Sequence, residues 1–294
     1  MIKKVSLCFR AAVIAMLFSA TSANALTIVL GHVNESSYEA TAVVIQTILE
    51  RIGYNVAIKK GKPGVMFPML AEGEIDIFVA GSLPHEDAED WEDYKDELVL
   101  VTPLYEDAKL FWAVPAYIPA SDVRSIADLT KPGVASRMEK IIRGPGADSD
   151  LMIRSRKVLQ EYGLAQAGYQ LAPGKSADWI DGFSASIKSE EWFVVPLWQP
   201  HYLSEVAKLR ILDEPKKLLG SPDTAWLIAN KGTKRKIGAI GFGVLQKMEL
   251  SVRSIAEIEY QVYVEKRSPR EAGRRWMGLH PYTVEYWLEN ERDE

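Results

Sequence analysis

Trp198, His201 and Tyr202 stand close together in the stretch Val194-Val195-Pro196-Leu197-Trp198-Gln199-Pro200-His201-Tyr202. A short apolar run, read as a buried strand end, breaks at Pro196 and delivers these rings into a loop stiffened by a second proline. Two aromatic faces and an imidazole suit a small ligand with an apolar or cationic body and an anionic tip. Packing is the alternative, with Trp198 and Tyr202 partly buried and His201 capping a loop. Three such side chains at the carboxyl end of one strand favour a site, because open α/β sheets bind ligands there. A second stretch, Ile141-Ile142-Arg143-Gly144-Pro145-Gly146-Ala147-Asp148-Ser149, reads as a strand entering a glycine-rich turn. Asp148 or Ser149 caps the helix that follows, and its exposed amides make an anion seat. Many α/β turns contain Gly-Pro-Gly, so the turn alone carries little.

A reaction centre is not legible. The chain has no G-x-S-x-G elbow, no H-E-x-x-H and no P-loop. Its four histidines (His32, His85, His201 and His280) are scattered, and no pair has the helical spacing of metal ligands. Neither a metal nor a cofactor is expected. The carboxylates of Glu86–Glu97 lack the alternating ligands and central glycine of a calcium loop, and read as a solvated helix face around Trp91 and Tyr94. Loops carrying glycine, proline, a small polar residue or an aromatic follow the strands. That pattern builds a pocket without building catalysis.

The elements that must position these loops are α/β. Leu26–Leu30 reads as a strand, followed by a helix on which Tyr38, Ala42, Ile45, Ile48, Leu49 and Ile52 recur at helical spacing. Ser36 and Glu39 read as its capping box and Gly53 as its stop. Val56–Ile58 and the near-continuous apolar Ile75–Val79 are strands on either side of a short helix through Met69–Glu72. This β-α-β-α-β order predicts a parallel α/β domain. Further strands are expected at Leu110–Val114, Trp192–Pro196, Leu209–Leu212 and Ala225–Ala229. Helices are expected at Ala177–Ile187, Ile237–Met248, Ile255–Glu265, Pro269–Met277 and Tyr282–Leu288. Two α/β blocks with the tail returning to the first make a two-lobed clamshell.

Composition narrows the classes. The 294-residue chain is 47% apolar with a formal net charge of −5, enough to bury a core and poorly suited to nucleic acid. Lys3, Lys4 and Arg10, the apolar Ala11–Ala20 and then Ala23-Asn24-Ala25 read as a signal peptide, with a mature start at Leu26. No run approaches the ~20 apolar residues of a spanning helix. The single cysteine, Cys8, lies inside the signal, so the mature chain cannot use disulfides. Export with solubility indicates a bacterial periplasm.

From Leu26 almost to its end, the chain resembles the substrate-binding proteins of ABC importers for glycine betaine and other quaternary amines. The resemblance rests on ordered matches: Gly31–Glu35, the block Met66-Phe67-Pro68-Met69-Leu70-Ala71-Glu72-Gly73-Glu74-Ile75-Asp76, Leu83-Pro84-His85, Pro145-Gly146-Ala147, Trp198-Gln199-Pro200-His201-Tyr202, and Ala272, Trp276 and Trp287-Leu288 in the tail. It implies a type II periplasmic-binding-protein fold: two α/β lobes, each a mostly parallel sheet flanked by helices, joined by two hinge crossings over a buried ligand. The lobes would be 26–112 with 223–294, and 113–222, closing near Phe111–Pro115 and Lys217–Ala225. It also implies a monomeric, non-enzymatic solute receptor that docks on a membrane permease. An enzyme using His201 or Glu35 as acid or base, and a sensory adaptor, are the readings from other classes.

In that family tryptophans cage the quaternary ammonium, while backbone amides and often a histidine hold the ligand carboxylate. Carried over, Trp198 is a cage wall, Tyr202 sits where another aromatic is usual, Gly146 and Ala147 offer amides, and His201 is a side-chain donor. Ser36, Met66, Phe67, Leu83 and His85 complete the candidate set. Two positions depart from the pattern, Glu35 and Ser82, where tryptophans are common. Glu35 at a helix N-terminus is expected to have a lowered pKa and to call for a cationic partner. With Ser82 it suits an amine that keeps N–H donors, and Arg143 can pair with a ligand carboxylate. The alternative is that Glu35 caps its helix and Arg143 points to solvent.

Overall fold

The computed structural model describes residues 27–289. The expected signal peptide, its cleavage site and Cys8 lie outside the described residues. Strand β1 (Thr27–Val33) leads through Asn34 and Glu35 into α1 (Ser36–Arg51), followed by β2 (Asn55–Gly61), α2 (Pro63–Ala71) and β3 (Ile77–Leu83). A short helix, α3 (Ala88–Tyr94), precedes the 18-residue strand β4 (Leu98–Pro115). A 3-10 turn and α4 (Pro132–Ala135) lead to β5 (Ile141–Gly144), α5 (Asp150–Glu161), β6 (Gln170–Pro173) and α6 (Ser176–Lys188). Then come β7 (Val195–Gln199), α7 (Leu203–Val206), β8 (Leu209–Ile211) and β9 (Asp223–Asn230). Four helices finish the chain: α8 (Thr233–Lys247), α9 (Val252–Tyr263), α10 (Pro269–Leu279) and α11 (Pro281–Leu288).

The main sheet runs β2-β1-β3-β9-β4-β7, with β8 also on β4, and β5 pairs with β6 separately. Parallel pairing is confined to β2-β1-β3 and β5-β6; β9 and β7 enter antiparallel. The reason is the length of β4, which pairs with β9 along Leu98–Ala108 and with β7 and β8 along Lys109–Pro115. The expected strand at Leu110–Val114 is only the far end of it. Residues 98–108 do not read as strand because Thr102, Pro103, Glu106 and Asp107 interrupt the apolar pattern. The structure accommodates them with three register shifts against β9.

Strand β3 is buried at every position, as the apolar run predicts, but it covers Ile77–Leu83 rather than 75–79, because Gly81–Leu83 pair with β9. Ala80 has φ 67°, and the register against β9 shifts between Phe78 and Gly81. A β-carbon on Gly81 would lie 2.5 Å from Ile228 Cδ1, so a larger residue here would have to displace the Ile228 side chain. After this bulge Gly81–Leu83 pair with β9 again, and the chain leaves the sheet at Pro84.

Asp76, just before β3, ties three elements together. Its carboxylate accepts the Val29 N–H at 2.8 Å and takes Lys236 Nζ on both oxygens at 2.8 and 2.6 Å. Its carbonyl accepts from Thr233 Oγ1. We expect Asp76→Ala to cost about 2–3 kcal/mol in urea unfolding, because a buried N–H and a lysine lose their acceptor together. A loss below about 0.5 kcal/mol would show this group to be decorative.

The apolar clusters follow the sheet. One joins α1, β1, β3, β9 and the helices α8–α11; a second lies beneath β3 and α2. Two others gather around Trp112 and around Phe111, Trp179, Phe193 and Tyr202. Helix α9 serves both sides: Ile255 and Ile258 enter the first cluster, and Tyr260 and Tyr263 pack against the last.

Candidate functional site

Parallel pairing of β1 with β3, Gly31 opposite Phe78, sends both strands' carboxyl ends the same way. The loops Asn34–Ser36 and Pro84–Asp87 therefore leave the sheet side by side. Asp223, at the start of β9, pins the second loop: Oδ1 accepts the His85 N–H at 2.8 Å and contacts His85 Nδ1 at 2.7 Å, while Oδ2 accepts the Glu86 N–H at 3.0 Å. Asp87 turns back to accept the Ser82 N–H at 2.6 Å. Asp87 braces the loop locally and Asp223 anchors it to β9, so the chain's own groups hold the loop.

The carboxyls gathered here are hard to ionise. Partial burial pushes Glu86 up to about 7, with Asp87, Glu35, Asp223 and Asp150 adding like charge. Glu86 itself is exposed, so the packed walls and like charges beside it, rather than enclosure, produce the shift. Burial also carries Asp87 up to about 6 against the opposing Ser82 N–H. Two phenols complete this side. Tyr38 is raised well above its ordinary value by burial and then by Glu86, and Tyr105 is raised by burial and then by Glu259 and Glu86.

Glu259 is fully buried on α9. Its Oε1 accepts the Ser36 hydroxyl, and its Oε2 has no hydrogen-bond partner. Burial holds its pKa near 8; the Ser36 hydroxyl and the Tyr202 backbone N–H favour the charge but do not outweigh burial, and Glu35 opposes it further.

Across from these loops, the end of β7 carries the rings expected from sequence. His201 lies edge-on to Trp198, with centroids 4.4 Å apart, and stacks on Tyr202 at 4.7 Å; Tyr202 stacks on Tyr263 of α9 at 5.4 Å. Trp179 of α6 joins them, 5.8 Å from His201 and 6.3 Å from Trp198. Burial drives the His201 pKa to about 3, so the ring is neutral. Its Nδ1 accepts the Leu203 N–H at 3.1 Å, which leaves the proton on Nε2. The indole N–H groups of Trp198 and Trp179 are buried without a protein partner.

Several expectations need correction. Strand β7 covers 195–199 rather than 192–196, so Trp198 lies within the strand; Pro196 is tolerated because β7 ends the sheet path. Met66, Phe67 and Leu83 are buried in an apolar cluster with Phe78 and Leu70, Phe67 edge-on to Phe78 at 5.3 Å. They pack the core. Burial raises the Glu35 pKa, against the lowering expected at a helix start. Glu35 is the N-cap of α1 but makes no capping bond, and no capping box forms, because Ser36 turns to Glu259 and Glu39 to Lys60. Asp87 is buried instead of joining the solvated acidic face, while Glu86 stays exposed ahead of α3.

The remaining candidates are dispersed. Ser82 is buried at the end of β3, and the His85 side chain is half exposed. Arg143 is exposed and lines a crevice with Trp179, Phe183 and Phe193, its Cδ 3.2 Å from the point where a Gly182 β-carbon would stand. Gly146 and Ala147 are exposed on the loop before α5, whose N-cap Ser149 accepts the Met152 N–H as expected. Glu86, Tyr38, Tyr105, Trp179 and Glu259 were missed. Only Glu259 left a signal: it falls four residues after Ile255, on the apolar face of its helix. A groove of about 650 Å³ lies at the far end of α1 beside Glu50, Arg51 and Arg270. That end is roughly 20 Å of helix away from Ser36.

Comparison with known proteins accords with this geometry. The family described as "Substrate binding domain of ABC-type glycine betaine transport system" (OpuAC) matches residues 26–278. The glycine betaine/carnitine transport binding protein GbuC of Listeria monocytogenes is 23% identical over 159 residues, 54% of this chain and 52% of that protein; the match thus spans about half of that relative's length. Lactococcal OpuAC, in its closed form with glycine betaine, superposes with a TM-score of 0.71 at 25% identity, covering 90% of this chain and 99% of that one. ProX from Borrelia burgdorferi gives 0.70 at 24% identity over 90% and 97% of the two chains. A choline-binding protein complexed with choline gives 0.67 at 20% identity over 89% and 91%. The architecture is that of type II periplasmic binding proteins, a mixed sheet with flanking helices. The match over 26–278 makes the chain a member of the OpuAC family, the substrate-binding domains of ABC-type glycine betaine transport systems.

Proposed function

We propose that the chain is the solute-capturing component of an ABC importer, taking a small zwitterionic or cationic amine between two lobes and passing it to a membrane permease. The lobes are residues 27–108 with 223–289, and 109–222, hinged where β4 passes between its two sets of partners and near Lys217–Ala225. The receptor works as a monomer in the periplasm and releases its solute unchanged. One observation carries this reading. Strand ends from both halves of the chain present acids, phenols and indoles, fixed in place by Asp223 and by ring stacking. Such a surface suits the recognition of a cation.

Glu35, Ser82, His85, Gly146, Ala147, Trp198, His201 and Tyr202 are the contacts we assign, with Arg143 on the ligand's anionic side. Calorimetric titration of the mature protein with glycine betaine, choline, carnitine and amino acids tests the reading. We expect saturable one-to-one binding that Trp198→Ala weakens about 30-fold, the equivalent of one good cation–π contact of ~2 kcal/mol. Tyr282→Ala, at an 85% exposed residue on α11, leaves it unchanged. Conversion of the bound amine into a product would overturn the proposal.

A further inference from the structure

Among the described residues, Glu35, Glu86 and Glu259 form no ion pair, although neighbouring Glu39 and Asp150 are matched with Lys60 and Arg154. Glu86 is faced by Asp87, Asp223 (with His85 held on it), Glu35, Asp150, Tyr38 and Tyr105. Glu259 is faced by Ser36, Glu35, Tyr105, Tyr202 and Tyr263. No lysine or arginine stands in either set. Glu259 adds an independent sign of a missing partner: it is fully buried, Ser36 satisfies one oxygen, and the other has nothing to bond.

We propose that Glu35, Glu86 and Glu259 form a cation-recognising wall, and that the solute they select is a compact organic cation with N–H donors, an ammonium or guanidinium group, in preference to a permethylated one. The inference rests on the solute-receptor reading and names its substrate class. A permethylated ammonium presents only C–H groups and is best held by ring faces. A desolvated carboxylate needs short, charge-assisted N–H donors, which only a partly unmethylated nitrogen or a guanidinium supplies. Glu35 follows β1 and Ser82 ends β3, and Tyr38 and Tyr105 bring hydroxyl-bearing rings to Glu86 on that side.

Proton linkage follows. Glu86 is about half protonated near neutrality, and Glu259 holds its proton on an oxygen with no acceptor. A bound cation drives these protons off, so binding tightens as pH rises. The test is calorimetry on the mature protein in two buffers of different ionisation enthalpy, with arginine, agmatine and 1,4-diaminobutane set against glycine betaine, choline and carnitine. We expect an N–H cation to bind at least about tenfold more tightly than every permethylated probe, and about tenfold or more tightly at pH 8 than at pH 6, with net proton release. Glu86→Gln, checked for an unchanged melting temperature, should lose about tenfold in affinity and much of the pH dependence. Glu259→Gln provides a second, independently folded reading of the same loss. Tight binding of glycine betaine or choline with no N–H cation bound would leave the receptor reading standing and remove this inference. Wild-type affinity that ignores pH would remove it too. If no probe of either kind binds, both readings fall.

Discussion

Glu259→Gln should stabilise the protein at pH 9 by about 4 kcal/mol and change little at pH 5. The wild-type carboxyl titrates near 8 in the fold against an ordinary 4.5. Between these values the folded chain keeps a proton that the unfolded chain has lost. The native state therefore binds more protons, and unfolding free energy falls as pH climbs from 4.5 through 8. Above 8 the full penalty is present, and a shift of this size corresponds to roughly 4–5 kcal/mol. Glutamine keeps an oxygen for the Ser36 hydroxyl and never ionises, so its profile is flat over the same interval.

His201 sets the opposite limb. Its folded value near 3 lies below the ordinary 6.5, so stability is complete above 6.5 and is lost as pH falls toward 3. Wild-type stability should form a dome with its top between these limbs, and the glutamine variant should lose only the alkaline fall. Guanidinium unfolding at pH 5, 7 and 9 measures both. Parallel profiles for the two proteins would show that Glu259 does not sit protonated in the fold.

Asp223→Ala should cost about 3–4 kcal/mol and weaken amine binding more than tenfold. One carboxylate, 8% exposed, receives the His85 and Glu86 amides and the His85 imidazole. Hydrogen bonds to a charged acceptor contribute about 1.5–3 kcal/mol each, and alanine leaves two backbone donors without it. The loop that presents Glu86 then loses its anchor to β9, so ordering it falls to the ligand, at the expense of affinity. Asp223→Asn should fall between, because its amide oxygen still accepts one N–H while its NH2 faces another donor. Urea unfolding and calorimetry on the same samples separate the two effects. Unchanged binding alongside lost stability would mean that the loop is held by the strand ends alone.

The sequence by itself determined the element types over most of the chain. Residues such as Ile45, Ile48 and Leu49 on α1, or the buried run of β3, follow periods of 3.6 residues or a continuous apolar stretch that any neighbour would satisfy. It also determined the ring cluster at Trp198, His201 and Tyr202, because those residues are adjacent in the chain and their stacking is local. Tertiary structure decided what depends on distant partners. Whether β4 stops at Ala108 or runs on to Pro115 is settled by β9, β7 and β8, which supply its hydrogen bonds. Met66 and Phe67 went to the core because α2 turns them onto Phe78, a residue that no short window contains. Ionisation states were the least legible: Glu35 and Glu259 are 224 positions apart, and only the fold, through Ser36, brings Glu35 close enough to help Glu259 keep its proton. Desolvation and like-charge repulsion act through space, so their sign could not be read from a helix start or a run of acidic letters.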